Sequence, residues 1–338
     1  MVVGWWDALP PKSASNESFR HVVLKSGRSE ASFFVPVAPD LGQSDSRTTN
    51  PNPVDWVFKD PGEHFVLSVF RRVLHNGDAC SADAAGQRPV VLDIGANEGF
   101  FGLLATAWGC RAVFFEPQPG CQKMIRAAFA RNSFSPSTAR LVPHPVAEPP
   151  AVINVSADEQ LCLGGWPFHS SVKRTSSSLE RPPRELARFF ESDRTFNVTS
   201  VDLSDRVLFD PDAIETAGRE IMLAKVDVEG GELSVLRAML PLLRRRRVRH
   251  LVVELTPGWW SCRHAREPTE CRRQRSANGH EESNELWAAI EALGYVASSQ
   301  DDEFGRTRPL RSLVQQILDR GGTRGRKQAN VWIRRATR

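Results

Sequence analysis

Apolar residues in the central and last parts of the chain alternate between short continuous runs and stretches with helical spacing. Continuous runs of strand length are typical of strands that a sheet buries on both faces, and helical spacing predicts the helices that cover them. The runs predict strands at residues 90–93, 112–116, 139–147, 221–227, 250–255, 295–299 and 329–335. The helical spacing predicts helices at residues 62–74, 100–109, 120–132, 231–247 and 283–294. This alternation with short connections predicts a doubly wound α/β sheet.

Three segments depart from the alternation. Residues 1–59 are rich in Pro, Ser, Asp and Asn, which predicts an irregular N-terminal extension before a single domain at 60–338. Residues 148–197 and 256–282 are polar and follow predicted strands, where α/β proteins place substrate loops. We therefore expect two insertions near the site, although surface loops far from any chemistry explain the same composition equally well.

Composition and charge limit the class of partner. Of the 338 residues 41% are hydrophobic, enough for a full core, and 44 basic residues stand against 40 acidic ones. The net charge of +4 is too small to indicate a nucleic-acid partner. No apolar run reaches the ~18 residues of a membrane span, and the first residues do not resemble a signal peptide. We therefore expect a cytoplasmic protein, in which the N-x-S/T triplets at Asn16, Asn154 and Asn197 are chance matches.

The six cysteines are too sparse for a disulfide scaffold. Cys262, His264, Cys271 and His280 lie near one another in the sequence, but their spacing differs from the paired C-x-x-C zinc motifs and arginines surround them. A plain surface loop is the favoured interpretation of this segment, and a zinc site is the alternative.

The segment VVLDIGANEGFFG is the most informative part of the chain. A strand ending in Asp93 runs into Gly95, Asn97 and Gly99, and glycines let the backbone pass close to a ligand. A dinucleotide site would need a glycine in place of Asn97, and the carboxylates of Asp93 and Glu98 would repel a pyrophosphate. Carboxylates suit a cationic ligand instead, and S-adenosylmethionine carries both a sulfonium and an ammonium group.

Glu116 ends the second predicted strand, 23 residues after Asp93. A carboxylate at this place can accept hydrogen bonds from both hydroxyls of a ribose. Enzymes that bind NAD place an acid similarly, so Glu116 alone does not identify the cofactor. The alternative is an acid that caps the helix after Pro117.

At this point the chain resembles the FkbM-type methyltransferases, which use S-adenosylmethionine. The resemblance lies in VLDIGANEGFFGLLA (91–105), VFFEPQP (113–119) and AKVDVEGGELSVLRAM (224–239), the last leading to VVELTP (252–257). It implies a Rossmann-like, mostly parallel sheet of seven strands, with the last strand antiparallel and helices on both faces. It also implies a substrate-side role for residues 227–230. The cofactor-binding residues that the resemblance implies are Asp93, Gly95, Asn97, Gly99 and Glu116. We add their sequence neighbours Ala96 and Pro117 to this set.

The acids after the fourth predicted strand are the candidate catalytic residues. Asp227 and Glu229 share one face if the strand extends that far, and Asp227 is then placed either to take a proton from the substrate or to hold a ligand. Glu232 falls in the first helical turn, where a negative charge is favoured, so we assign it to structure. Asp227 with Glu254 offers oxygen ligands for Mg²⁺, but no third acid lies at a fitting position. Lys225 provides an ion-pair partner as the alternative, and we predict no metal.

The sequence therefore predicts a methyltransferase that acts on a hydroxyl group of a small molecule or glycan. One alternative is methylation of RNA ribose, and another is a non-catalytic binding module with the cofactor fold. Neither the methyl acceptor nor the oligomeric state follows from the sequence.

Overall fold

The computed structural model describes residues 19–26, 29–36, 57–58, 60–75, 79–84, 86–148, 152–156, 162, 195–203, 220–228, 230–257, 278–302, 306–321 and 329–336. The strands are β1 (Phe19–Ser26), β2 (Ser29–Pro36), β3 (Val90–Ile94), β4 (Arg111–Phe115), β5 (Ala139–Val142), β6 (Val152–Ser156), β7 (Thr195–Thr199), β8 (Ile221–Val226), β9 (Val248–Leu255), β10 (Tyr295–Ser299), β11 (Arg308–Pro309) and β12 (Ala329–Arg335). The helices are α1 (Pro61–Leu74), α2 (Phe100–Ala107), α3 (Pro119–Arg131), α4 (Glu232–Arg244), α5 (Asn278–Ala292) and α6 (Leu310–Gly321).

The main sheet has eight strands in the order β11-β10-β12-β9-β8-β3-β4-β5. Strands β5, β4, β3, β8 and β9 are mutually parallel, and β12 is antiparallel to both of its neighbours. The predicted mostly parallel sheet with an antiparallel last strand is therefore confirmed. The strand count is eight rather than seven because the two-residue β11 adds an edge strand to β10.

The continuous apolar runs are the strands at the centre of this sheet. Every residue of β3, β4 and β8 is buried, since helices cover both faces. One hydrophobic core lies between one face of the sheet and α1, α2 and α3, and a second lies on the opposite face under α4, α5 and α6. Because β3, β4, β8 and β9 are parallel, their carboxyl ends meet at one edge, where ligands of open α/β sheets bind.

Helix α1 begins where local chemistry favours it. Asp60 is the N-cap, and its side chain accepts hydrogen bonds from the backbone N–H groups of Gly62 (2.8 Å) and Glu63 (3.1 Å). Pro61 occupies the first turn, where its fixed φ and missing N–H do no harm.

The structure corrects the expectation of an irregular segment over residues 1–59. Strands β1 and β2 form an antiparallel hairpin within it, and Phe33 is buried with its ring 5.8 Å from that of Phe100. The side-chain amide of Asn132 donates to the carbonyl oxygen of Phe34 (2.8 Å) and accepts from its N–H (2.7 Å). The hairpin is thus fastened to the helices that cover the sheet.

The predicted insertion at 148–197 includes β6 and the start of β7, which pair antiparallel, so this range is not wholly irregular. In the range 256–282, residues 258–277 lie outside the described residues, and α5 begins at Asn278. The hypothesis of a loop or zinc site at Cys262, His264 and Cys271 therefore also falls outside the described part of the chain.

Two disulfide bonds join described cysteines, Cys80 to Cys110 and Cys121 to Cys162. Disulfides persist in oxidising compartments and are rare in the cytosol, so these bonds weigh against the expected cytoplasmic location. Within the described ranges, none of the helices is long and apolar enough to cross a lipid bilayer.

Candidate active site

The glycine turn, defined as residues 95–99, connects β3 to α2 at the carboxyl edge of the sheet. The N–H groups of Gly95 and Ala96 both donate to the carbonyl oxygen of Phe115, at 3.0 and 3.1 Å. A Cβ added to Gly95 would lie 1.8 Å from the backbone oxygen of Asp227. Gly95 is therefore required because the chain leaving β8 passes directly against the turn, a contact that the sequence did not reveal.

Asp93 is buried at the end of β3, with 1% of its surface exposed. Its Oδ2 accepts a hydrogen bond from the N–H of Gly102 (2.8 Å), but its buried Oδ1 has no hydrogen-bond partner. The nearest cation is Lys225, with Nζ 3.9 Å from Oδ1. Burial raises the pKa of Asp93 to about 6, and the charge of Lys225 opposes that rise.

Lys225 links the acids at the ends of two neighbouring strands. Its Nζ donates to Oδ2 of Asp227 at 2.9 Å and lies 5.5 Å from the ring centroid of Phe101. Burial alone would lower the pKa of Lys225, but the negative charges of Asp227, Asp93 and Glu63 raise it above its usual value. Lys225 is therefore a permanent cation, and the predicted ion-pair alternative describes its contacts correctly.

Asp227 keeps 22% of its side-chain surface exposed, unlike the almost fully buried Asp93. Burial would raise the pKa of Asp227, but the ion pair with Lys225 and a hydrogen bond with Glu254 hold it below the usual value. Asp227 is therefore an ionised and partly exposed carboxylate at the carboxyl ends of the strands, beside the glycine turn.

Glu116 is buried where β4 ends, with 2% of its surface exposed. Its Oε2 accepts a hydrogen bond from the N–H of Asn97 (2.7 Å), and its Oε1 accepts one from the N–H of Gln118 (2.8 Å). Burial raises the pKa of Glu116 to about 7, although both hydrogen bonds favour the charged form. Each carboxylate oxygen retains a lone pair that can accept a hydrogen bond from a hydroxyl group.

Two further polar side chains complete this end of the sheet. The side-chain amide of Gln122 donates to the carbonyl oxygens of Glu116 (3.0 Å) and Pro117 (3.1 Å), and so fixes the chain between β4 and α3. Glu98 lies in the glycine turn, and burial raises its pKa to about 7. The charge of Glu98 is evident from the sequence, whereas Gln122 gives only a weak signal there, because it lies one turn into a helix.

Of the other acids after β8, Glu232 has a structural role and Glu229 lies outside the described residues. Glu232 is fully buried, and its Oε1 accepts hydrogen bonds from the N–H of Gly230 (2.7 Å) and the hydroxyl of Thr256 (2.8 Å). It therefore holds the loop after β8 to the end of β9. Glu229, the second candidate catalytic residue, lies outside the described residues. Across the described residues, no group of three metal-binding side chains comes together.

The predicted cofactor-binding residues come together, since Asp93, the glycine turn, Glu116 and Pro117 meet at the carboxyl ends of β3 and β4. Their chemistry fits S-adenosylmethionine. Oδ1 of Asp93 lacks a hydrogen-bond partner, and the carboxylates of Asp93 and Asp227 outnumber the cation that they share, Lys225, which suits a cationic ligand. Both oxygens of Glu116 keep lone pairs for ribose hydroxyls.

Three solved structures illustrate how distantly the fold resembles known proteins. Methyltransferase FkbM from Methylobacillus flagellatus is 12% identical with a TM-score of 0.35, over 81% of this chain and 52% of that one. Precorrin-6y C5,15-methyltransferase from Geobacter metallireducens is 10% identical with a TM-score of 0.32, over 80% and 88%. The 16S rRNA N2 G1207 methyltransferase of T. thermophilus is 9% identical with a TM-score of 0.34, over 97% and 52%. The chain thus spans about half the length of the FkbM structure, and likenesses this weak carry no information on substrate.

Comparison at the level of sequence is more decisive. No curated protein matches the chain. The profile of the methyltransferase FkbM domain, however, matches residues 93–297, which is more than half of the chain and includes every residue of the site described above except Glu63. The match begins at Asp93 itself and ends within β10. The chain belongs to the FkbM family of methyltransferases.

Proposed function

We propose that the protein transfers a methyl group from S-adenosylmethionine to a hydroxyl oxygen of a small molecule or glycan. The observation that carries this proposal is the position of Asp227, an ionised and partly exposed carboxylate beside the glycine turn. A hydroxyl acceptor has to lose a proton when it is methylated, and a carboxylate within hydrogen-bond reach can accept that proton.

The carboxylates also explain how the chain would hold the cofactor. Glu116 receives the two ribose hydroxyls, while its hydrogen bonds to Asn97 and Gln118 keep its oxygens in place. Asp93 offers its Oδ1, which lacks a hydrogen-bond partner, to the methionine end. Bound S-adenosylmethionine supplies an electrophilic methyl group on a positively charged sulfur.

Asp227 needs little basicity for this reaction. The hydroxyl proton becomes strongly acidic as the new carbon–oxygen bond forms, so a carboxylate with a lowered pKa is sufficient if it already hydrogen-bonds the hydroxyl. Lys225 keeps Asp227 ionised, and the hydrogen bond with Glu254 fixes its orientation. The balanced net charge of +4 favours a neutral or small acceptor over RNA.

The proposal is tested with Asp227→Asn, which keeps the shape of the side chain and removes its charge. Turnover is measured with methyl-labelled S-adenosylmethionine and a panel of methyl glycosides, and cofactor binding is measured by calorimetry. We expect turnover to fall by ~100-fold or more while cofactor affinity changes little. Asp319→Asn, an exposed acid on α6, is the matched control and should behave as the wild type. Unchanged turnover in Asp227→Asn would refute the role of Asp227.

The cellular compartment in which the protein folds is the subject of a separate proposal. We infer that the protein folds in an oxidising compartment rather than in the predicted cytoplasm, because disulfides join both pairs of described cysteines. Asn197 of the N-x-S/T triplets is exposed on β7, as an acceptor of a glycan would need to be. Maleimide labelling of the natural protein should leave these four cysteines unmodified until a reductant is added. Labelling without reductant would contradict the inference.

A further inference from the structure

Asn97 connects the ribose-binding acid to a disulfide. Its backbone has φ of 53°, a left-handed conformation that non-glycine residues adopt only rarely. In this conformation its N–H points at Oε2 of Glu116 (2.7 Å), while its side-chain oxygen lies 2.7 Å from Sγ of Cys162 and 3.5 Å from Sγ of Cys121. The side chain and the backbone of one residue therefore contact the disulfide and the acid at once.

The disulfide joins two segments that are distant in sequence. Cys121 lies in the first turn of α3, directly after the chain that carries Glu116, and Cys162 follows 41 residues later. Both are buried. The bond therefore holds Cys162 next to the glycine turn, in contact with the side chain of Asn97.

The two redox states present different groups to Asn97. A bridged sulfur carries no hydrogen and can only accept. In the disulfide form the amide of Asn97 must therefore turn its NH₂ end to the sulfur, in place of the oxygen end that lies 2.7 Å from Sγ of Cys162. A free thiol can donate, and it is satisfied by the oxygen end. The two ends of an amide have nearly the same shape, so the side chain can turn over without other movement. Reduction of the disulfide thus removes the covalent link between Cys121 and Cys162, and it also turns the sulfurs that face Asn97 from acceptors into possible donors.

We propose that the Cys121–Cys162 bond is a positioning element for cofactor binding. It holds Asn97 in its left-handed conformation, and Asn97 in turn holds the carboxylate of Glu116 ready for the ribose. This inference rests on the proposed function, because it assumes that Glu116 binds the ribose of S-adenosylmethionine.

The second disulfide supplies a matched control. Cys80 and Cys110 enclose a similar stretch of chain, 30 residues against 41, but Cys110 lies just before β4, at the opposite end of that strand from Glu116. Loss of either bond should cost similar stability, since the entropy of loop closure depends only weakly on loop length. Only loss of the Cys121–Cys162 bond should alter the glycine turn.

Calorimetry with S-adenosylmethionine is carried out on the wild type, on Cys121→Ala/Cys162→Ala and on Cys80→Ala/Cys110→Ala. For the first double variant we expect the Kd to rise ~10-fold, equivalent to about 1.4 kcal/mol. For the control we expect less than a ~2-fold change, because its bond is remote from Glu116. In turnover assays the KM for S-adenosylmethionine should rise while kcat at saturating cofactor changes much less, a split that a general loss of stability would not produce.

Equal affinities in the wild type and the first double variant, or an equal loss in both double variants, would overturn the inference. If the first variant does not fold, the control variant is treated with dithiothreitol until thiol titration finds two new thiols. The bond takes up two electrons and two protons, and dithiothreitol becomes a cyclic disulfide. Unchanged cofactor affinity at that point would also overturn the inference. A wild type that fails to bind S-adenosylmethionine would instead refute the proposed function, and this inference with it.

Discussion

Glu116 should make cofactor binding depend on pH in the neutral range. Burial raises the pKa of its carboxyl group to about 7, so the free protein carries a mixture of neutral and ionised Glu116 at neutral pH. Ribose hydroxyls donate to the ionised form, which has acceptors on both oxygens. Only the ionised fraction is ready to bind, and this fraction increases as the pH rises through 7.

The size of the effect follows from that fraction. With a pKa of about 7, roughly 9% of the protein is ionised at Glu116 at pH 6 and roughly 90% at pH 8. The apparent Kd for S-adenosylmethionine should therefore fall ~10-fold between pH 6 and pH 8. The same raised pKa stabilises the free protein in acid, because a buried neutral carboxyl costs less than a charged one. The contribution of Glu116 to the free energy of unfolding should fall by about 3 kcal/mol as the pH rises from 4.5 to 7.

Calorimetric titrations at pH 6, 7 and 8 measure the dependence, and Glu116→Gln provides the control. Glutamine cannot ionise, so this variant should bind S-adenosylmethionine weakly at every pH, and it should retain only the slope contributed by other groups, such as the amino group of the cofactor. The slope is the change in the logarithm of the Kd per pH unit, and the difference between the slopes of the two proteins measures the contribution of Glu116. Equal slopes in the wild type and Glu116→Gln, or a flat wild-type profile, would refute the reasoning.

Three further changes test the packing of the site. Lys225→Met leaves buried carboxylates without their cation and should cost about 3–5 kcal/mol in urea unfolding, against less than ~0.5 kcal/mol for Lys123→Met on the exposed side of α3. Gly95→Ala places a Cβ 1.8 Å from a backbone oxygen, whereas Gly86→Ala also has a positive φ but open space around it. The Gly86 change should therefore cost only the ~1–2 kcal/mol of the left-handed backbone, and the Gly95 change clearly more. Asn132→Ala removes the hydrogen bonds to β2 and should speed hydrogen exchange in the N-terminal hairpin before the sheet is affected. Equal stability within the lysine or glycine pair, or unchanged exchange for Asn132→Ala, would contradict the corresponding account.

Local features of the sequence were sufficient to predict the central sheet and the glycine turn. Strand, glycine turn and helix follow one another within residues 90–107, so the placement of Asp93 is decided by neighbours in the chain. Glu116 follows in the same way from the end of the next strand. The family match covers this part of the chain as well.

Contacts between distant segments were not predictable in this way. The hairpin at residues 19–36 precedes the predicted alternation of strands and helices, and its burial depends on Phe100 and Asn132, roughly 70 to 100 residues further on. The helix dipole explains a structural role for Glu232, yet its main partners are Gly230 and the hydroxyl of Thr256, which directly follows β9. The pairing of Cys121 with Cys162 is likewise a matter of tertiary structure, since six cysteines allow many pairings.

The place of β12 in the sheet has a consequence for how the protein is made. Strand β12 lies between β9 and β10, yet it follows both of them in the sequence. While the chain grows on the ribosome, β9 therefore has an unpaired edge, and β10 cannot take its final position until residues 329–335 have emerged. An unpaired strand edge invites association with other chains. Until synthesis reaches β12, this edge of the nascent protein is where we expect chaperones to bind.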